Sequence, residues 1–409
     1  MRAKHYTGIS KYLRLGAAAL SGGLFRLPPR FLWFMARQMR FEKATSVGGR
    51  LFINTTYTPL NTKSYKTALR YFSNVAGGGV NPLSVYFSVT NKCHLSCWYC
   101  SNPGGNSADL DFAKLGRAIG QAQDAGAACI GFTGGEPLLR PDLEKLVALV
   151  DDRSYTLLFT SGHFLNAARA RALKAAGLTA IVVSLDSHIE EEHNAKRSSS
   201  AAYREAVAAL KNSIEAGLYT AISMVITKDM LYSGKIHDFI KFAAGLGVHE
   251  IRILRPKPCG KVIKGNFEIL DEKDVLKFVE LQYEINLDPA LPSIMSLPHI
   301  GTINNYGCSG GRTHMYVTAD GDVCPCDFVP VSFGNITEEA FGEIYARMLK
   351  SFPEHAHGCI SQLAYKEIDR LSAGKLPLKD PASIATVMAS LGKRPVPKLY
   401  RKLGCKEAA

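Results

Sequence analysis

The chain has 409 residues, 46% of them hydrophobic, enough for one large core with smaller appendages. Ten cysteines without an export signal exclude a disulfide framework and fit a reducing compartment, the cytoplasm. The net charge of +13 sits at the ends, with ten Lys/Arg against Glu42 alone in residues 1–50 and eight against Asp380 and Glu407 in residues 371–409. No nucleic-acid-binding module accompanies it, so no specific nucleic acid is expected as a partner.

From the N-terminus, the first apolar run, Leu15 to Phe25, is eleven residues long, well short of the ~20 that span a bilayer. Pro28-Pro29 separates it from Phe31 to Ala36. Flanking Arg14, Arg26, Arg30 and Arg37, with Trp33 and Phe34 beside them, make residues 1–50 read as an anchor lying on an anionic membrane surface. A surface for a protein partner and a helix covering the body of the enzyme are the competing readings. Gly77-Gly78-Gly79 lies in a linker from Asn74 to Asn81. Strand-like apolar runs follow at 85–90, 129–133, 155–160, 180–185, 220–227 and 249–254, separated by helix-length stretches such as 110–125, 142–150, 201–216 and 236–246. Six strand–helix units predict an α/β fold with a parallel sheet. Pro256 to Lys261 marks the exit from the sixth strand, and a basic tail with Pro377, Pro395 and Pro397 reads as loosely packed or partly disordered.

Directly after the first run stand Cys93, Cys97 and Cys100, spaced C-x3-C-x2-C. Three clustered thiolates leave one metal position unclaimed, which argues for an iron–sulfur cluster over a structural zinc site with four ligands. With Tyr99 before the last cysteine, this motif resembles that of the radical S-adenosylmethionine (radical SAM) superfamily. The resemblance implies a [4Fe–4S] cluster whose open iron chelates SAM. It also implies reductive cleavage to a 5′-deoxyadenosyl radical that abstracts hydrogen from a C–H bond. The expected fold is a partial (β/α)6 TIM-like barrel with its site at the C-terminal strand ends.

Other residues carry the same resemblance in order. Gly134-Gly135-Glu136-Pro137 follows the second run; the glycines allow close backbone approach to a ligand, and Glu136 offers an acceptor for the SAM amino group. Ser184 at the end of the fourth run implies a cofactor contact, and Arg197 implies a partner for the SAM carboxylate. Asp186 and His193 between them form either part of this site or a solvated polar turn. Arg252 and Arg255, on the sixth strand and its exit, are expected to meet substrate or to form salt bridges.

Farther on, Cys308, Gly321 and Cys326 match the opening of the SPASM and twitch extensions of radical SAM enzymes. Asp320-Gly321 is a hairpin turn signal. The dense cysteine run of a full SPASM extension is missing, so a shortened extension with one auxiliary iron–sulfur cluster is expected, held by Cys308, Cys326 and Cys359. Cys324 is a further ligand candidate, because residues i and i+2 on a strand share a face. Cys129, Cys259 and Cys405 read as core thiols, and His94 as a loop residue.

The expected organisation is a basic, helical N-terminal segment (1–76), the barrel (80–258), a small α+β auxiliary-cluster extension (259–365) and a basic tail (366–409). SAM and a reductant such as flavodoxin or ferredoxin are the expected partners, with the membrane surface placing the enzyme peripherally on the inner membrane face. That surface directs the substrate expectation toward a lipid or other hydrophobic molecule. The alternative is maturation of a ribosomally made peptide, and a non-catalytic electron-transfer or sensor protein is the third reading.

Overall fold

The computed structural model describes residues 4–102, 109–263, 268 and 270–406. The chain begins with β1 (Lys4–Tyr6), α1 (Gly8–Gly22), α2 (Pro29–Gln38), β2 (Ala44–Val47), β3 (Arg50–Phe52) and α3 (Lys63–Ala76), in which β1, β2 and β3 form a small antiparallel sheet. Six parallel strands follow: β4 (Ser84–Ser88), β5 (Cys129–Thr133), β6 (Tyr155–Thr160), β7 (Ala180–Ser184), β8 (Tyr219–Val225) and β9 (Glu250–Leu254). The sheet extends past this set at both edges. β10 (Ser293–Ser296) pairs parallel with β9; β11 (His314–Val317) pairs parallel with β4 and forms a hairpin with β12 (Val323–Cys324).

Strand alternation divides the residues into two sets. Val85, Phe87, Ile130, Phe132, Ile222 and Ile251 are buried in the main core with the surrounding helices. Cys129, Tyr155, Leu157, Val182, Tyr219 and Ala221 form a separate cluster with Phe52, and Tyr86 and Phe159 pack against it. Gly131 makes room there: a Cβ would lie 2.3 Å from the Tyr86 ring.

The N-terminal segment closes one end of this inner cluster. Phe52 stacks on Tyr219 at 4.2 Å between centroids. Thr55 donates to the Glu250 carboxylate through N–H at 2.8 Å and Oγ1 at 2.5 Å, and the Tyr155 hydroxyl donates to the Thr55 carbonyl. Lys43 is fully buried, and its Nζ donates to the carbonyls of Ile285, Asp288 and Leu291 at 3.1, 2.5 and 2.8 Å. These carbonyls cluster at the C-terminal end of the helix Glu272–Leu287, where a cation also complements the helix dipole. Lys43→Met is therefore expected to lower stability by about 3 kcal/mol, since the carbonyls lose their donors; urea denaturation checks this.

The tail is not loosely packed, as the sequence reading expected. Leu399, Tyr400 and Leu403 on the helix Lys398–Leu403 are buried with Phe31, Phe34, Tyr71 and Phe72 of α2 and α3. The Tyr400 hydroxyl lies 3.1 Å from those of Tyr71 and Thr313, and its ring stacks on His355 at 3.6 Å. Apolar residues at helical spacing outweigh the basic composition around them. Among the described residues, no helix is long and apolar enough to cross a membrane.

Candidate active site

The loop carrying Cys93, Cys97 and Cys100 leaves the C-terminal end of β4, and the Gly134–Glu136 segment leaves β5 beside it. Two backbone hydrogen bonds join them, Gly135 N–H to Thr90 O at 2.7 Å and Glu136 N–H to Lys92 O at 2.8 Å. A Cβ on Gly135 would sit 2.2 Å from Lys92 O; one on Gly134, which has φ of +149°, would sit 2.5 Å from Thr90 O. The glycines thus permit a close contact between the two loops. Burial pushes the Cys93 thiol up to about 11 and raises Cys100 as well.

Glu136, expected to offer an acceptor to the SAM amino group, has several protein partners. It is buried, and its carboxylate accepts from Leu138 N–H at 3.0 Å, Thr160 Oγ1 at 2.6 Å, Ser161 N–H at 2.7 Å and Ser161 Oγ at 2.5 Å. Burial raises its pKa against these four donors. The side chain clasps β5 to the exit of β6.

Arg197 ends the helix Glu190–Arg197 and faces a protein carboxylate. Its Nε and NH2 lie 2.9 and 2.8 Å from Asp186 Oδ2, and NH1 reaches Cys97 Sγ at 3.5 Å. The Tyr99 hydroxyl donates to the same Asp186 oxygen at 2.6 Å, and the guanidinium lies 5.2 Å from the Tyr99 ring centre. Asp186 Oδ1 accepts from Val225 N–H at 2.9 Å, while His193 Nδ1 accepts from Asp186 N–H at 3.1 Å. Burial opposes ionisation of Asp186, but Arg197 and the hydrogen bonds outweigh it and hold the carboxyl below its ordinary range. Asp186 is thus the hub that fixes Tyr99 and Arg197 against the cysteine loop. The sequence reading left it between two roles. Ser184 is half-buried at the end of β7, opposite Ser223 of β8.

A second group of thiols gathers near β11 and β12. Cys308, Cys326 and Cys359 lie close enough to perturb one another electrostatically, and the Cys308 N–H donates to Ala356 O at 3.0 Å. Lys257 Nζ donates to Cys359 Sγ at 3.1 Å. Burial raises the Cys359 thiol, but Lys257 and Arg255 bring it below its ordinary value. Arg255 donates to Gln362 Oε1 at 2.7 Å, so its role is at this thiol group. Cys324 stands apart, with Asp322 and Lys379 as its charged neighbours. Its strand ends at Cys324, before Pro325, so the shared-face expectation does not extend to Cys326. Cys259, read from the sequence as core, is buried with Asp327, Cys359, Lys257 and Cys100 as its charged neighbours. It stands one residue before Gly260, whose Cβ would meet Cys100 O at 2.2 Å, a proximity no local sequence pattern shows. His94 stacks on His163 at 3.8 Å, and His163 Nδ1 lies 2.9 Å from Glu205.

The family model of the radical SAM superfamily matches residues 87–233, and that of the SPASM iron–sulfur cluster-binding domain matches residues 308–359. The chain is a radical SAM enzyme with a SPASM domain. It is 28% identical over 275 residues to the PqqA peptide cyclase of Gluconobacter oxydans, covering 64% of this chain and 76% of that protein. To the AdoMet-dependent heme synthase of Nitratidesulfovibrio vulgaris it is 23% identical over 291 residues, covering 64% and 78%. Streptococcus suis SuiB bound to its precursor peptide SuiA has a similar fold, with a TM-score of 0.57 at 17% identity over 69% of this chain and 68% of that one. The radical SAM domain implies a [4Fe–4S] cluster with SAM, and the SPASM domain implies auxiliary iron–sulfur clustering. The two sets of three soft sulfur donors suit those groups chemically.

In this radical SAM enzyme a cavity of about 430 Å³ lies between the N-terminal helices and the sheet. Leu15, Ala19, Phe31, Met35, Leu60 and Phe72 line its apolar part; Tyr86, Arg252, His314, Cys326 and Asp327 line its polar part.

Proposed function

We propose that this radical SAM enzyme activates a C–H bond of a peptide. The cluster and SAM, when bound, supply the reductive cleavage that yields a 5′-deoxyadenosyl radical. In this reading Cys93, Cys97 and Cys100 hold the cluster, with Tyr99, Gly134, Gly135 and Ser184 around SAM. Asp186 orients Arg197 against Cys97. Cys308, Cys326 and Cys359 hold an auxiliary cluster, with Lys257 donating to Cys359. The observation that carries the reading is a large, mostly apolar cavity whose polar part includes Cys326 of the second thiol group. Similarity to a PqqA peptide cyclase and to SuiB, which binds the precursor peptide SuiA, supports a peptide over a lipid as substrate.

A lipid is the second reading, and a different observation favours it. Ile9, Leu13 and Leu20 of α1, Phe25, and Trp33 of α2 are exposed beside Arg14, Arg26, Arg30 and Arg37. Such a surface suits an anionic bilayer.

The test is anaerobic. The reconstituted full chain is reduced with dithionite and given SAM, then either short apolar peptides or phosphatidylglycerol vesicles. Peptide-stimulated formation of 5′-deoxyadenosine is expected. Stimulation by vesicles alone would transfer the substrate to the lipid class, and reducible clusters with no 5′-deoxyadenosine under any condition would favour electron transfer.

A further inference from the structure

Among the described residues five Lys or Arg side chains are buried: Lys11, Lys43, Arg140, Arg197 and Arg252. Four have acceptors that answer their charge. Lys11 reaches the carbonyls of Met39 and Glu42, each at 2.7 Å, and Lys43 has its three carbonyls. Arg140 pairs with Asp142 at 2.6 Å and donates to two carbonyls, and Arg197 pairs with Asp186.

Arg252 is different. It is 7% exposed, yet it donates through NH1 to the neutral Thr55 hydroxyl at 3.2 Å, and its Nε has no acceptor. Its guanidinium lies 5.4 Å from the Phe159 ring centre and bears on the Tyr86 hydroxyl. The nearby carboxylates are engaged elsewhere, Glu250 with Thr55 and the Tyr219 hydroxyl, Asp327 with His314 Nε2 at 3.0 Å. Neither forms an ion pair with Arg252 among the described residues. A buried guanidinium without a carboxylate partner is costly unless a ligand completes it.

The cavity provides room for that ligand, since Arg252 lines it together with the apolar residues of α1, α2 and α3. Strand register places Arg252 opposite Ser223, and Ser223 opposite Ser184, so these three residues form one row across the sheet. Arg252 thus lies two strands along from the residue assigned to SAM. An apolar chamber with a few convergent polar groups is the usual form of a ligand site.

We propose that Arg252 is a carboxylate subsite, and that the substrate is an apolar body bearing a carboxylate that this planar fork holds. The inference deepens the peptide reading: the carboxylate belongs to a peptide C-terminus or to an acidic side chain beside apolar residues. A fatty acid offers the same chemistry, and the test separates the two sources.

Binding to the reconstituted full chain is measured by equilibrium dialysis for acetylated trileucine as the free acid and as the amide, and for decanoate and decanol. Wild type is expected to prefer the peptide acid over its amide by roughly tenfold, the usual worth of a hydrogen bond to a charged group. Arg252→Met should remove the preference, and Arg252→Lys should retain part of it. If the methionine variant does not fold, Arg252→Gln decides, because it can still donate to Thr55. Equal binding of acid and amide by wild type, or a preference that persists in the neutral variants, overturns the subsite. An Arg252-dependent preference for decanoate with no binding of the peptide acid keeps the subsite and overturns the peptide reading.

Discussion

Replacing Cys93, Cys97 and Cys100 together by alanine is expected to reduce 5′-deoxyadenosine formation to background while leaving an auxiliary-cluster spectrum. The thiols emerge on one loop at the end of β4, fastened to the Gly134–Glu136 segment by two backbone hydrogen bonds. Alanine therefore removes the soft donors without disturbing the fastening. The other thiol group, Cys308, Cys326 and Cys359, keeps its donors. Iron analysis and electron paramagnetic resonance of anaerobically reconstituted protein check this: the variant should lose about half of the bound iron, because one of two clusters is absent. Full iron content in the variant would show that other residues hold the cluster.

Asp186→Asn is expected to cost about 3 kcal/mol of stability and to weaken SAM cleavage roughly 10- to 100-fold, the usual range for a residue that positions a metal site. The substitution leaves the Arg197 guanidinium buried beside Cys97 without its counter-charge. Asparagine keeps an oxygen for Val225 N–H on the Oδ1 side but presents an amide NH2 on the side of Tyr99 and Arg197, so the loss combines charge with one acceptor. Adding Arg197→Met should restore most of the stability without restoring activity, because both charges are then gone. Chemical denaturation and 5′-deoxyadenosine assays of the single and double variants read these outcomes separately. The pH dependence has a definite sign. The folded-state pKa of Asp186 lies below its ordinary 3.8, so its contribution is present above that value and is lost as pH falls through the lower, folded-state value. Asp186→Asn should flatten acid unfolding in that window.

The central strands were legible because each is a short apolar run with its own flanking signals; residues 129–133 and 155–160 became β5 and β6 with those limits. The edge strands were harder. β10 has four residues, and the pairing of β11 with β4 joins segments more than two hundred residues apart, which local pattern cannot reveal. Motif spacing located the thiols and glycines, but it could not tell which partners each side chain would find. Glu136 and Arg197 carry the charges expected at a cofactor site, and their protein partners, Thr160, Ser161 and Asp186, became visible only in the fold. Arg252 was visible as a charge on a strand; the absence of a counter-ion became visible only when the surrounding elements came together.

The segment Lys257–Lys261 touches both thiol groups within five residues of chain. Lys257 Nζ reaches Cys359, Lys261 N–H donates to Cys100 O at 3.0 Å, and Lys261 Nζ reaches Ser96 on the first cysteine loop at 2.7 Å. This strap gives a physical route by which loading of one thiol group is expected to affect the other. Filling one would fix the end of a short strap whose other end contacts the second, so iron loading is expected to be cooperative, which stepwise iron titration checks.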